Sequence, residues 1–150
     1  MLPSRRALVV ALGNPLTVED SFGPRVLESI RSAPAPPDVD LLDAHTDLLG
    51  HIDRFPSYPL VILIDALLDP SSPQAISVVD ESTLLSFPDD APSIHQMSPV
   101  TALKLFRQLH PDAPTRIVLV AYRVHEMGFL GALDEAIVAQ AAREVLRLLE

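Results

Sequence analysis

Three acidic residues and a histidine stand where predicted strands give way to loops. Asp20 lies in the loop after the first strand, Asp43 directly follows the second, and Asp65 closes the third. His95 lies in a long proline-rich loop farther along the chain. In an open α/β sheet, ligands bind beyond the carboxyl ends of the strands, so these side chains are expected at one rim. Two carboxylates and an imidazole there could hold a divalent transition metal and leave coordination positions open for an external group.

The residue types exclude several other chemistries. The chain has no cysteine, which rules out disulfides, a thiolate nucleophile and zinc sites of the cysteine type. It lacks the glycine-rich motifs that bind dinucleotides and phosphates, and it lacks the G-x-S-x-G nucleophile motif. With 11 Lys and Arg against 20 Asp and Glu, the formal net charge is −9, which disfavours a nucleic-acid partner. Any metal must therefore bind through His, Asp or Glu.

Short apolar runs predict the sheet that positions these residues. Continuous runs of Val, Ile and Leu are typical of strands that helices cover on both faces, as in a parallel sheet. A fifth, weaker run follows a short turn-rich connection and is predicted to be an antiparallel edge strand. The four strong runs and the fifth are Ala7 to Leu12, Val39 to Leu42, Leu60 to Ile64, Arg116 to Tyr122, and Ala75 to Val79.

Helical stripes alternate with the strands, from Phe22 to Ile30, from Ala102 to Leu109 and from Leu133 to Leu148, with a short helix after the second strand. The order predicts an α/β three-layer sandwich, a mostly parallel twisted sheet of about five strands flanked by helices. The 150 residues, with a mean hydropathy of +0.27, are expected to form one domain, 1–150. The connection from Asp80 to Met97 is predicted to be a long loop. The apolar opening is too short to span a bilayer, so a soluble cytoplasmic protein without a membrane partner is expected.

Each candidate residue also has a structural interpretation. Asp20 could be the N-cap or a first-turn acid of the helix that follows, a role compatible with metal binding. A functional role is favoured for Asp65, because an ionised carboxylate at the end of a buried strand needs a partner that compensates its charge. His95 alone would be an ordinary loop histidine. It is a candidate site residue because it occurs together with the acidic residues. His45 follows the second strand and is a further candidate for the rim.

Together these residues resemble the hydrogenase maturation endopeptidases, small α/β proteins that remove a C-terminal extension from the large subunit of nickel-containing hydrogenases. The resemblance covers nearly the whole chain. The family's opening is matched by Gly13-Asn14-Pro15-Leu16 and Glu19-Asp20-Ser21-Phe22-Gly23. Its strand that ends in an acid followed by alanine is matched by Ile64-Asp65-Ala66, and its histidine loop by Ser93-Ile94-His95-Gln96.

The resemblance implies an aspartic-type endopeptidase whose partner is the precursor of a hydrogenase large subunit. It implies that Asp20, Asp65 and His95 form a catalytic and metal-binding trio for nickel that the precursor already carries. The nickel therefore belongs to the substrate, and cadmium or zinc is expected to occupy the same site in vitro. The metal would serve in recognition, in hydrolysis of the peptide bond, or in both.

Two departures from the family pattern leave alternatives open. The chain has Glu19-Asp20 where the family usually has Asp-Glu, so Glu19 is an alternative first ligand. The family's Asp-Gly-Gly-Thr corresponds to Asp43-Ala44-His45-Thr46, which implies that Asp43, His45 and Thr46 contact the substrate. This altered loop motivates a second hypothesis, a noncatalytic relative that binds a nickel protein or a metallochaperone. A third is a flavodoxin-like domain whose rim acids are coincidental.

Overall fold

A five-stranded sheet forms the centre of the computed structural model, which describes residues 5–13, 21–33, 36–68, 75–87, 99–124 and 134–150. Its strands lie in the order β2-β1-β3-β5-β4. Neighbouring strands are parallel except β4 and β5, which are antiparallel. The predicted α/β class and the antiparallel edge strand are therefore confirmed. The strands are β1 (Ala7–Leu12), β2 (Val39–His45), β3 (Leu60–Leu68), β4 (Ala75–Asp80) and β5 (Arg116–Val124).

Helices cover both faces of the sheet. On one face, α1 (Phe22–Ser32) and α4 (Glu135–Leu148) enclose what we call the α1–α4 core. On the other, a 3₁₀ helix (Leu49–Ser57), α2 (Glu81–Leu85) and α3 (Pro99–Leu109) enclose the α3 core. Successive side chains of a strand point to opposite faces, so the central strands supply both cores. This explains their continuous apolar sequence. No helix in the described ranges is long and apolar enough to cross a membrane.

Four strands extend beyond their predicted ends. The sequence interpretation ended β2 at Leu42, β3 at Ile64, β4 at Val79 and β5 at Tyr122, and these ends are wrong. The prediction stopped β3 at its charged residue, but its ladder with β5 continues as far as the pair of Leu68 and Val124. The paired backbone, rather than residue polarity, therefore determines where β3 ends.

The predicted loop from Asp80 to Met97 is also wrong in its first part, because α2 begins directly after β4. Asp80 is the N-cap of α2, and its Oδ1 accepts the backbone N–H of Thr83 at 2.9 Å. Leu84 is fully buried in the α3 core. A capping carboxylate and one buried leucine thus stabilise a short helix in the part of the predicted loop that precedes its prolines.

A hydrogen-bond network holds the amino ends of β3 and β5. The hydroxyl of Thr115 lies 3.0 Å from the carbonyl oxygen of Phe55 and 2.8 Å from that of Tyr58. Two guanidinium nitrogens of Arg107 donate to the two carboxylate oxygens of Glu81, each at 2.8 Å. Arg107 also donates to the Thr115 carbonyl at 2.6 Å. The network joins α2, α3 and the 3₁₀ helix at the end of the sheet opposite the candidate site.

Both tyrosines of the chain are shielded from water. Burial raises the pKa of Tyr58, and so does the bond that its hydroxyl donates to Oδ2 of Asp40 at 2.6 Å. Burial also raises the pKa of Tyr122, with a further contribution from the negative charge of Asp134. In each case the folded protein favours the neutral phenol.

We expect the two phenols to ionise above pH 10.0 in the folded protein and near that value in urea. A raised pKa means that the folded state holds the proton more tightly, so the associated stability is present below pH 10 and is lost as the pH rises through the folded pKa. Tyrosinate absorbance measured against pH tests this directly, because the chain has only two tyrosines. The variants Tyr58→Phe and Tyr122→Phe assign each step. Native phenols that ionise at or below the unfolded value would contradict the expectation.

Candidate functional site

Asp65 lies inside β3, and its side chain has no exposed surface. Its Oδ1 accepts the N–H of Ala66 at 2.8 Å. The strand alternation places Asp65 on the same face as Leu63 and Leu67, whose side chains lie in the α3 core. Ala121 of β5 is its cross-strand partner. The prediction that Asp65 closes the strand is therefore wrong, because β3 continues to Leu68. The prediction that Asp65 is buried is confirmed. Burial makes the ionised form of a carboxyl group costly unless it is compensated.

The end of β2 forms a turn built on Asp43 and His45. Oδ1 of Asp43 accepts the N–H of His45 at 3.0 Å and lies 3.6 Å from Nδ1 of its imidazole. The carbonyl oxygen of His45 accepts the N–H of Gly13 at 2.7 Å, which joins the ends of β2 and β1. Asp43 and His45 were predicted to follow β2. They lie within it, because pairing with β1 continues through a register shift to the pair of Leu12 and His45.

His45 has a left-handed backbone, with φ of 54°. This conformation is rare for residues with a Cβ and costs about 1–2 kcal/mol. Its side chain is 68% exposed, and the next residue, Thr46, is exposed in the turn. The imidazole and the threonine hydroxyl are therefore accessible to an external group.

The two described acids of the predicted site lie on different strands and different faces. Ala11 of β1 pairs with Asp43 on one side and with Ile64, the neighbour of Asp65, on the other. Two strand spacings separate β2 from β3, about 10 Å. Within the described ranges, no three His, Asp or Glu side chains come close enough to hold a metal ion. The structure thus groups Asp43 with His45 and Thr46 and keeps Asp65 apart.

Asp20, its alternative Glu19, and His95 lie outside the described residues, but the elements beside them are placed. Ser21, which follows Asp20 in the chain, is buried at the start of α1. A Cβ on Gly23, in the first turn of α1, would overlap the carbonyl oxygen of Leu12 and lie 3.0 Å from that of Ile64. The first turn of α1 therefore lies directly on the ends of β1 and on the residue before Asp65.

Gly23 positions α1 beside the candidate site, and sequence reasoning used it only as part of a motif. A glycine in the first turn of an amphipathic helix was the available signal, since such a glycine often marks a close backbone contact. Which backbone it contacts depends on the sheet order, which the local sequence does not specify.

The segment that contains His95 is bounded by α2 and α3, which are fixed to each other. Nζ of Lys104 in α3 donates to the carbonyl oxygen of Phe87 at 3.0 Å. Arg107 in α3 holds Glu81 in α2 by the paired bonds described above. Phe87 is the last described residue before this segment, so its attachment to α3 fixes where the segment begins.

Solved structures of the same architecture match almost the whole chain. The hydrogenase maturating endopeptidase HybD from E. coli is 21% identical, with a TM-score of 0.80 over 96% of this chain and 91% of that one. The [NiFe] hydrogenase maturation protease HybD from Thermococcus kodakarensis is 22% identical, with a TM-score of 0.73 over 97% and 99%. HycI from the same organism is 20% identical, with a TM-score of 0.70 over 95% and 89%.

The chain has the fold of the hydrogenase maturation endopeptidases. No protein-family model matches the sequence, and no curated protein matches it significantly. The resemblance found in the motifs is thus confirmed in the three-dimensional fold. TM-scores of 0.70, 0.73 and 0.80 establish a shared fold. At identities of 20–22% the likeness does not extend to the activity.

We expect Gly23→Ala to lower the free energy of unfolding by about 1–3 kcal/mol, because the added methyl group meets backbone that cannot move aside. Urea denaturation measures the change. Gly50→Ala is the control, because the methyl group there meets only the side chain of Asp47. Moving that carboxylate aside gives up only an exposed hydrogen bond, which its Oδ1 accepts from the Gly50 N–H at 2.9 Å. Equal losses in the two variants would show that the contact of α1 with β1 and β3 has no special importance.

Proposed function

We propose that this chain is a cytoplasmic endopeptidase that removes a C-terminal extension from the precursor of a nickel-containing hydrogenase large subunit. The observation that carries the proposal is the fully buried carboxylate of Asp65 on the middle strand of a fold shared with hydrogenase maturation proteases. The motifs around Gly13, Asp20 and His95 support it, because they occur in the family's order. The exposed His45 and Thr46 beside Asp43 support a docking role for this end of the sheet.

In this proposal Asp20, Asp65 and His95 bind the nickel that the precursor carries. Carboxylate oxygens and imidazole nitrogen suit a borderline divalent ion, and three protein ligands leave positions for groups of the substrate. Asp65 is fully buried on the strand face that it shares with Leu63 and Leu67, so little water would compete for its carboxylate when a cation binds. Glu19 is the alternative to Asp20 as first ligand.

Asp43, His45 and Thr46 are assigned to the peptide around the scissile bond. The Asp43 carboxylate fixes the backbone of His45, so the imidazole is presented from a defined turn. Hydrolysis adds the hydroxyl of water to the carbonyl carbon and a proton to the departing amine. Bound nickel supplies Lewis acidity, which polarises the carbonyl or activates the water.

A noncatalytic relative that binds a nickel protein or a metallochaperone is the second candidate. Its support is the loss of both family glycines from the turn at the end of β2, where Ala44 and His45 stand instead. The left-handed φ of His45 favours the protease, because the backbone still has a conformation that glycine adopts freely. Cleavage of a precursor separates the two candidates.

We expect the protein to shorten a nickel-loaded large-subunit precursor at one bond, which mass spectrometry of both fragments identifies. Asp65→Asn should slow cleavage by about a hundredfold or more, since even partners of a metal ligand contribute about 10–100-fold. Asp112→Asn is the matched control, because Asp112 lies exposed in the turn after α3. Metal-free precursor should remain intact.

Binding of the precursor without cleavage would favour the noncatalytic relative. Equal rates for the Asp65 variant and the wild-type protein would contradict the proposed role of Asp65. Circular dichroism confirms that the compared proteins are folded.

We also expect the protein alone to bind one Ni²⁺ or Cd²⁺ ion, measured by calorimetry. Asp65→Ala and His95→Ala should each abolish this binding, because each removes one of three ligands. The control His51→Ala changes a histidine of the 3₁₀ helix outside the proposed trio. Unchanged affinity in the Asp65 and His95 variants, or no binding by the folded parent, would contradict this ligand set.

A further inference from the structure

The two outer strands of the sheet differ in how their free edges are protected. Within the described residues, β2 pairs only with β1, and β4 pairs only with β5. Edge strands of soluble proteins are usually protected from further pairing by charged residues, prolines or bulges. β2 follows this rule, because it carries Asp40 and Asp43 and a register shift. β4 has no charged residue and no proline before its last residue, Asp80.

The exposed surface of β4 is apolar. Val78 is 45% exposed, and the described residues include only two other exposed large apolar side chains, on the 3₁₀ helix and α3. Ile76, on the same face as Val78, is half-buried against the α1–α4 core. Ser77 between them is small and half-buried. An extended chain that paired with β4 would therefore meet the apolar side chains of Ile76 and Val78 and no charged residue of β4 over 76–79.

The register of the sheet connects this edge with Asp65. Asp65 pairs with Ala121 of β5, and Ala121 pairs with Ser77 of β4, so the three residues lie in one row across the sheet. Neighbouring strands are about 4.8 Å apart, which places a strand added beyond β4 about 14 Å from the backbone of Asp65. An extended chain advances about 3.3 Å per residue, so about four residues bridge this distance.

The direction of β4 also suits a segment that arrives from the site. Because β4 is antiparallel to the other strands, Ala75 lies near the carboxyl end of β5 and Asp80 lies toward its amino end. A chain that leaves the site and pairs with β4 therefore meets Ala75 first and runs parallel to β4 toward Asp80.

We infer that the outer edge of β4 between Ile76 and Val79 binds the C-terminal extension of the substrate as a sixth strand. This inference rests on the proposed function. Pairing begins about four residues after the scissile bond, and backbone hydrogen bonds provide most of the affinity. Val78 and Ile76 favour apolar side chains at alternate positions of the extension. The edge thus holds the departing part of the substrate while Asp65 lies at the site of cleavage.

The pairing itself is tested with a synthetic peptide that has the sequence of the extension of the precursor used for cleavage. Amide NMR shifts should be largest at Ile76, Ser77, Val78 and Val79. One further peptide carries N-methyl groups at its odd positions, and another carries them at its even positions. Only every second amide of a strand faces its neighbour, so one of these peptides should lose binding at least tenfold and the other should retain it. Equal binding of both would overturn the inference.

The kinetic test uses Val78→Asp, with Val78→Thr as the β-branched control. Val78→Asp should raise KM for the full precursor at least tenfold and leave kcat within twofold, while Val78→Thr should change neither by more than twofold. With a precursor cut back to four residues after the scissile bond, the Val78→Asp protein and the wild-type protein should perform alike. Unchanged KM for the full precursor would overturn the inference.

Failure of the proposed function is distinguishable from failure of this inference. If the wild-type protein cleaves no precursor, the function is wrong. If it cleaves normally but the Val78 variants and methylated peptides show no difference, only the edge assignment is wrong. Sedimentation of the chain alone provides a further check, because a dimer whose interface shifts the β4 amides would assign this edge to a second copy and overturn the inference.

Discussion

The burial of Asp65 is the physical constraint on which the arrangement of the site depends. Removing an ionised carboxylate from water costs several kcal/mol even in real, relaxed protein interiors. Asp65 has no exposed surface and shares a sheet face with Leu63 and Leu67. In the proposed function, a divalent cation carried by the substrate would be a further partner of this buried carboxylate.

The elements around Asp65 restrict movement near it. Gly23 allows α1 to lie on the carbonyl groups of Leu12 and Ile64, so the start of the helix is in direct contact with the end of β1 and the middle of β3. The bond from the Gly13 N–H to the His45 carbonyl joins β1 to β2 on the other side. The backbone around the candidate site is consequently fixed by contacts between main chains, and the contact of α1 depends on the absence of a side chain at Gly23.

Much of the fold could be predicted from the sequence because its signals are local. The apolar runs predicted all five strands and the parallel sheet, since strands covered on both faces need no polar alternation. The ends of β2 and β3 were missed because Asp43 and Asp65 were interpreted as boundaries, whereas strand length depends on pairing with distant residues. α2 was missed because its stability depends on one cap and on burial of Leu84 in a core formed by other elements.

The site could be predicted only in part for the same reason. Residue type and position after a strand indicated Asp43, His45 and Asp65, and the structure places all three toward the carboxyl ends of β2 and β3. Asp43 and Asp65 lie on opposite faces of the sheet because of strand alternation and register. The sequence interpretation placed both residues after their strands, so it could not assign them to a face. The left-handed backbone of His45 coincides with the register shift between β1 and β2, and its signal in the sequence was the glycine that His45 replaces in the resembled motif.

The network of Thr115, Arg107 and Glu81 lies at the opposite end of the sheet from the candidate site, and this separation has an evolutionary consequence. Substitutions in the exposed turn of His45 and Thr46 leave those stabilising bonds intact, so this turn can vary while folding is preserved. A fold shared at 21% identity, with a TM-score of 0.80, is compatible with such tolerance.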